Sequence, residues 1–440
     1  MSGHADTSRR GFLKGVGAAW AFPMVWTGRT RGAWAPSERI RLGFVGVGGR
    51  GTENLKAFLK RPGVEVVALA DVDANHVAAA AKVVEGAGGD PAVFRDYRKL
   101  LDDPSVDAVV VSTPDHWHAL ATVDACLAGK DVYCEKPLTL FVAEGRRMVE
   151  VARATGRVVQ TGSQQRSDKN FRLACELVRG GRLGRIQEVR VLLPKVNFSG
   201  PAVADSAPPP ELDYEFWLGP APDRPYNAKR VHYLFRFFWD YSGGQMTNFG
   251  AHHLDIAQWG LGRDDSGPAT IEATATFNKD HWFEVAETSR IEYGYDDGVK
   301  LVCLQGEGKG RSVEFQGERG TIGVWRGGIE ASDPEILKAK PGEGRTPLYV
   351  SDDHHRNWLD CVKSREKPIC DVEIGHRSAT VCHLGNIAIR TGRKIAWDPG
   401  AETITGDSDA AAMLSRPYRE PWKLPEAPEG PTTARAVGRS

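Results

Sequence analysis

The chain has 440 residues, 41% of them hydrophobic, with 57 lysines and arginines balanced by 57 aspartates and glutamates. That length builds two domains with their own cores. The neutral balance, with no basic run, argues against nucleic acid or an anionic membrane as a partner. Seven cysteines, an odd number without a C-x-x-C pair, argue against a disulfide framework and read as buried thiols.

Residues 8–14, SRRGFLK, precede a short apolar run at 15–26. That run is too short for a hydrocarbon core, which needs about twenty residues, so no stable membrane span is expected. The segment resembles a twin-arginine (Tat) signal and matches its S-R-R-x-F-L-K pattern at each position. Ala33-Trp34-Ala35 offers a small-x-small cleavage site. The resemblance implies that residues 1–35 are an address read by the Tat export machinery, and that the protein works in the periplasm or is otherwise exported.

Residues 36–160 read as a dinucleotide-binding domain. A β-rich run at 40–45 ends in Gly46-Val47-Gly48-Gly49-Arg50-Gly51, and a helical pattern follows. Gly46 permits the tight turn, Gly48 lets a pyrophosphate approach the backbone, and Gly51 lets the helix sit close to the strand. The helix N-terminus then offers unpaired N–H groups to the phosphates. A second strand at 64–70 ends at Asp71, twenty residues past Gly51. A carboxylate there accepts from both ribose hydroxyls and repels a 2′-phosphate, which favours NAD over NADP. Helices at 74–85, 118–128 and 142–154 alternate with strands at 108–112, 132–135 and 158–160, the pattern of a doubly wound parallel sheet. Its ligand-binding edge receives STPDHWH (112–118) and CEKPLT (134–139).

Together with GGQMTNFGAHHLD (243–255), these motifs make the chain resemble the Gfo/Idh/MocA oxidoreductases from about residue 39 to 399. The resemblance implies an α/β fold: an N-terminal Rossmann domain, then an α/β domain with a large open, mostly antiparallel sheet. It also implies NAD(P) chemistry on hydroxyl carbons of sugars, cyclitols and related small carbohydrate-like molecules. β-rich runs at 187–193, 271–277, 289–295, 299–304, 311–316 and 321–325 fit such a sheet within residues 161–400, and 376–398 reads as a long closing helix. Residues 401–440, rich in Pro, Ala and Gly, read as an extended, partly disordered arm. An open sheet face implies a homo-oligomer.

The resemblance places Lys136, between Glu135 and Pro137, beside the nicotinamide, where it takes a hydroxyl proton or stabilises an alkoxide. The Lys136–Pro137 bond is a candidate for the cis form. Pro114 and His118 line the nicotinamide side. His252 is the second acid/base residue, oriented by Asp255 three residues along its helix. Asn248 stands where the family has aspartate, so it orients hydroxyls but takes up no proton. Gln165, Arg166 and Arg236 complete the substrate contacts, Arg166 and Arg236 foremost. His232, His252, His253 and Asp255 form no complete zinc-type motif, so no metal is expected. Three readings stay open: an oxidoreductase with tightly held NAD, a redox-neutral glycoside hydrolase that borrows and returns the hydride, and a sugar- or nucleotide-binding protein without catalysis.

Overall fold

The computed structural model describes residues 39–198, 200–279, 283–306 and 312–429. The export motif at 8–14 and the cleavage site at 33–35 lie outside the described residues. Six strands, β1 (Ile40–Val45), β2 (Val64–Ala70), β3 (Ala92–Phe94), β4 (Ala108–Val111), β5 (Asp131–Cys134) and β6 (Val159–Thr161), form one parallel sheet in the order β3-β2-β1-β4-β5-β6. β4 reads Ala-Val-Val-Val with every residue buried, as a strand covered on both faces requires. The connecting helices are α1 (Gly49–Leu59), α2 (Ala74–Glu85), α3 (Tyr97–Leu101), α4 (Asp115–Leu127) and α5 (Val142–Thr155). Strand order reverses between β1 and β4, which opens a crevice at their carboxyl ends. Gly46 turns there at φ +81°, and a Cβ on Gly51 would lie 2.1 Å from the Gly46 carbonyl oxygen. Only glycine lets α1 start that close to β1.

The second sheet has nine strands: β7 (Ile186–Leu193), β8 (Thr270–Thr276), β9 (Thr288–Gly294), β10 (Lys300–Gln305), β11 (Val313–Gly317), β12 (Gly320–Trp325), β13 (Gly328–Ala331), β14 (Ile395–Asp398) and β15 (Thr403–Thr405). Their order is β13-β12-β11-β7-β10-β9-β8-β14-β15, and only the β7–β10 pair is parallel. The remaining helices are α6 (Lys169–Arg179), α7 (Tyr214–Leu218), α8 (Gly244–Asn248), α9 (Gly250–Leu261), α10 (His354–Ser364), α11 (Val372–Thr391) and α12 (Ser408–Ala412). α11 holds the two halves together: Val372 and Ala379 pack in the first core, Leu384 and Ile387 in the second. α10 also returns to the first domain, where Trp358 is fully buried edge-on to Phe58 and Tyr133. All seven cysteines are buried and unpaired. Among the described residues no helix is long and apolar enough to cross a membrane.

The structure corrects three expectations. The closing helix does not run to 398: Gly392 ends it in the left-handed region at φ +63°, and Ile395–Asp398 pairs with β8 instead. The described part of the C-terminal arm, 401–429, is packed rather than loose. Tyr418 donates to Glu144 at 2.8 Å, and Trp422 stands edge-on to Trp117 and Phe216. Aromatic anchors, sparse in the composition, supply the contacts that its Pro and Ala do not.

The third correction concerns Arg166 and Asp255, read as substrate contacts and, for Asp255, as a partner of His252. α9 is buried around its whole circumference from residue 250 to 260, so spacing along it does not select a face toward the site. Asp255 accepts two hydrogen bonds from Arg166 Nε and Nη2 at 2.8 Å and one from Ser378 Oγ at 2.6 Å. Arg166 also reaches Asp264 at 2.7 Å and lies over the Trp259 ring. At 1% and 0% exposure the pair is a structural tie between α6's approach, α9 and α11.

Two outcomes follow from this packing. Arg166→Met leaves Asp255 charged and unpaired in the core, which costs about 3–5 kcal/mol. Thermal unfolding should show a large fall in Tm, whereas an unchanged Tm with weakened substrate affinity would return Arg166 to the site. Gly51→Ala should lower Tm and abolish NAD binding together, measured by calorimetry and nucleotide titration.

Candidate active site

The crevice at the β1/β4 reversal is a cleft of about 550 Å³. Gly46, Gly48, Asp71, Pro114, His118, Glu135 and Lys136 line it, so the first-domain residues singled out for a nucleotide converge, except Gly51, which acts behind the wall. Gly48 caps α1 without a side chain, and the first-turn N–H groups face the cleft. Asp71 Oδ2 accepts from Val47 N at 2.8 Å and Oδ1 from Asp73 N at 2.9 Å. A carboxylate has about four acceptor positions, so two remain for a ribose. Glycine cradle, helix terminus and carboxylate together fit a dinucleotide.

The second domain closes one side of this cleft. Val72 and Ala74 exchange backbone hydrogen bonds with Asp213 and Glu211, both at 2.9 Å, and Leu212, Phe216, Trp217, Tyr233 and Phe235 form the wall. Arg236 belongs to this wall, over the Tyr233 ring, and is not among the residues lining the second cleft. His232, held at φ +51°, meets His76 edge-on at 4.9 Å. With Asp73 they place three potential ligand atoms within 4.8 Å of one another at the Asp71 end. His253 is elsewhere, its Nδ1 2.9 Å from the Leu192 carbonyl.

At the other end, β5 delivers Glu135-Lys136-Pro137, with the Lys136–Pro137 bond cis. His118 clamps this turn: Nδ1 lies 2.7 Å from the Pro137 carbonyl and Nε2 2.9 Å from that of Thr113. Glu135 is buried, and its Oε1 accepts from Arg50, Asn54 and Gln164 at 3.0, 2.9 and 3.1 Å. Burial pushes this carboxyl up, but Arg50 and Asn54 outweigh it and hold it below the ordinary range. Lys136 Nζ donates to the Asn248 carbonyl at 2.9 Å and to Asn248 Oδ1 at 3.0 Å. Burial brings its ammonium down to about 8, against the opposing pull of Glu135 and Asp115. Asp115, bonded by Ser242 Oγ, is itself pushed up by burial.

A second cleft of about 510 Å³ meets the first at Arg50, Lys136 and Asn248. Gln164, Gln165, Phe249, His252 and Arg326 line the rest, with Asp168 and Phe171. His252 is 4% exposed, and its ring makes no hydrogen bond among the described residues. Burial, then the charges of Lys136 and Arg326, hold its pKa far below 6.5, so the imidazole is neutral. With the Gln165 amide turned to satisfy its surroundings, its nitrogen donates to the His252 carbonyl and its oxygen accepts from Arg326 Nε, both at 3.1 Å. Sequence reasoning missed Arg50, Asp115, Gln164 and Arg326. Arg50 and Asp115 sit inside motifs already singled out, but Arg326 lies in a hairpin turn with no local signature.

The family model for the NAD-binding Rossmann fold of the Gfo/Idh/MocA oxidoreductases matches residues 40–163, and the model for their C-terminal alpha/beta domain matches 186–424. The chain is 33% identical to a myo-inositol 2-dehydrogenase of Thermotoga maritima over 288 residues, 61% of this chain and 74% of that one. It is 31% identical to an alpha-N-acetylgalactosaminidase of Shewanella oneidensis over 154 residues, 34% of each chain. The chain spans half or less of the length of several other curated relatives it matches. The crystal structure of the WlbA dehydrogenase from Bordetella pertussis, in complex with NADH and UDP-GlcNAcA, superposes with a TM-score of 0.63 at 20% identity, covering 82% of this chain and 99% of that one, which establishes a shared fold. With a glycine cradle, a ribose carboxylate and a strand-end lysine in one crevice, the chain belongs to the Gfo/Idh/MocA family of NAD-binding oxidoreductases.

Proposed function

We propose that the protein transfers hydride between NAD and a hydroxyl carbon of a sugar, cyclitol or related polyol. The observation that carries this reading is the meeting of a nucleotide cleft and a second polar cleft at Lys136. The Gly46–Gly48 turn and the start of α1 would hold the pyrophosphate, Asp71 the adenosine ribose, and Pro114, Glu135 and Lys136 the nicotinamide end. NAD, when bound, supplies the carbon that accepts or returns the hydride.

The chain's own residues handle the proton. At about 8, Lys136 is roughly one-quarter neutral at pH 7.5, against about one-thousandth for an ordinary lysine. Its amine takes the substrate's hydroxyl proton in oxidation, and its ammonium returns one in reduction. Neutral His252 offers a hydrogen bond to the same hydroxyl region without competing for the charge, and Gln165 fixes its backbone. Asn248 aims the amine.

The wall that the second domain sets along one side of the nucleotide cleft supports a cofactor that stays bound through turnover. That property suits a chain with a twin-arginine motif, since export of the folded protein would carry NAD out with it. Buried and exposed residues alternate along β7 and β9, which leaves one face of the nine-stranded sheet uncovered and supports a homo-oligomer, to be checked by native mass measurement. The partial likeness to a glycosidase favours a second reading, in which the hydride is borrowed from the sugar and returned after the aglycone leaves. Glycoside cleavage with no net NADH would select that reading; NADH accumulating on a free sugar would select the first.

Lys136→Ala should cut turnover by about 10²–10⁴-fold while the pyrophosphate and ribose contacts keep NAD on the protein, whereas a non-catalytic binder would show no such loss. In the oxidative direction the rate should rise with pH through about 8, as the amine becomes free, and the reductive rate should fall across the same window. Asn248→Asp places a carboxylate against the ammonium and should move that midpoint up by about one to three pH units.

A further inference from the structure

The second cleft is short of negative charge. Of its three cations, only Arg50 is matched, by Glu135 at 3.0 Å and Glu53 at 2.7 Å. Lys136 donates to the two neutral oxygens of Asn248. Arg326 has no carboxylate within 4.0 Å among the described residues; its partners are the Gln165 side chain and the face of Phe249 at 5.7 Å. The one carboxylate lining the cleft, Asp168, caps α6 through Oδ1, which accepts from Asn170 N and Phe171 N at 2.8 and 3.3 Å, and makes no ion pair with Arg326.

Arg326 is solvent-exposed where it lines the cleft, and its permanently charged guanidinium has donors open to an anion that enters there. The neighbouring Arg50 adds a second positive charge beside Arg326. The tight turn between β12 and β13, with Gly327 at φ +93°, nevertheless delivers Arg326 to the cleft. With its amide turned, Gln165 joins Arg326 to the backbone carbonyl of His252, whose side chain lines the same cleft as Lys136.

We propose that Arg326 selects an anionic carbohydrate, one bearing a carboxylate or phosphate, whose charged group docks on the guanidinium while a hydroxyl carbon faces Lys136 and His252. This deepens the function proposed above and rests on the second cleft being the substrate's side. The arginine fork suits both anions, since each presents two oxygens to parallel N–H donors.

The test is calorimetric titration of the NAD-loaded protein at constant ionic strength. The probes are hexuronates and hexose 6-phosphates of the gluco, galacto and manno series, each beside its neutral parent hexose. At least one anionic member should bind about tenfold or more tighter than its parent, and the stronger class distinguishes carboxylate from phosphate. Arg326→Gln should erase that preference while leaving NAD content and Tm unchanged, and Arg326→Lys should restore part of it. The proposal is overturned if no anionic member exceeds its parent, or if the preference survives in Arg326→Gln. NADH absorbance in the same samples reads the oxidoreductase function separately. A charge preference without hydride transfer would count against that function alone; transfer from neutral parents with no charge preference would count against this inference alone.

Discussion

The site depends on one contact, the ammonium of Lys136 donating to both oxygens of Asn248. Lys136 ends a strand of the first domain and Asn248 ends a short helix of the second, so the contact joins the two clefts into one reaction space. It is supported from below and from the side. Glu135 is fixed by Arg50, Asn54 and Gln164, and His118 ties the turn after β5 to the loop after β4. A buried polar network of this kind rigidifies its members only when each has its partners, which holds here for Glu135.

Charge is distributed so that one group is left to move a proton. Glu135 is locked as a carboxylate by its cation and amides, and His252 is locked neutral by burial and by two nearby cations. Asn248 is the residue that makes the difference. An aspartate there would raise the Lys136 midpoint and favour the ammonium at neutral pH, whereas a neutral amide orients the amine and leaves its charge free to change. Under the proposed function, the acid/base task then falls to the lysine. The loss of a family carboxylate is consistent with retained chemistry.

Features carried by local backbone chemistry were legible in the sequence. Gly46 and Gly51 are demanded by a turn and a close approach, Asp71 by its place at a strand end, and the alternating hydrophobic runs by a sheet covered on both faces. Lys136 was legible through its motif. What the sequence hid were relations across long separations. Arg166 and Asp255 look like site residues because charged groups near a motif usually face solvent or substrate, yet α9 is buried all round and the pair closes on itself. Trp358 completes a domain that seemed to end two hundred residues earlier, and Tyr418 and Trp422 secure a segment whose composition reads as loose. Arg326 reaches the second cleft from a hairpin turn whose local sequence says nothing about its target.

The most direct test of the account is to titrate the Lys136 ammonium itself. Protein carrying lysine labelled with carbon-13 at Cε, with Lys136→Arg to assign the resonance, would be followed by NMR across neutral to alkaline pH. A midpoint near 8, well below the other lysines, is the predicted result. A midpoint at about 10.4, the value of an exposed lysine, would show that the amine is not desolvated between the clefts and would contradict its role as the group that moves the proton.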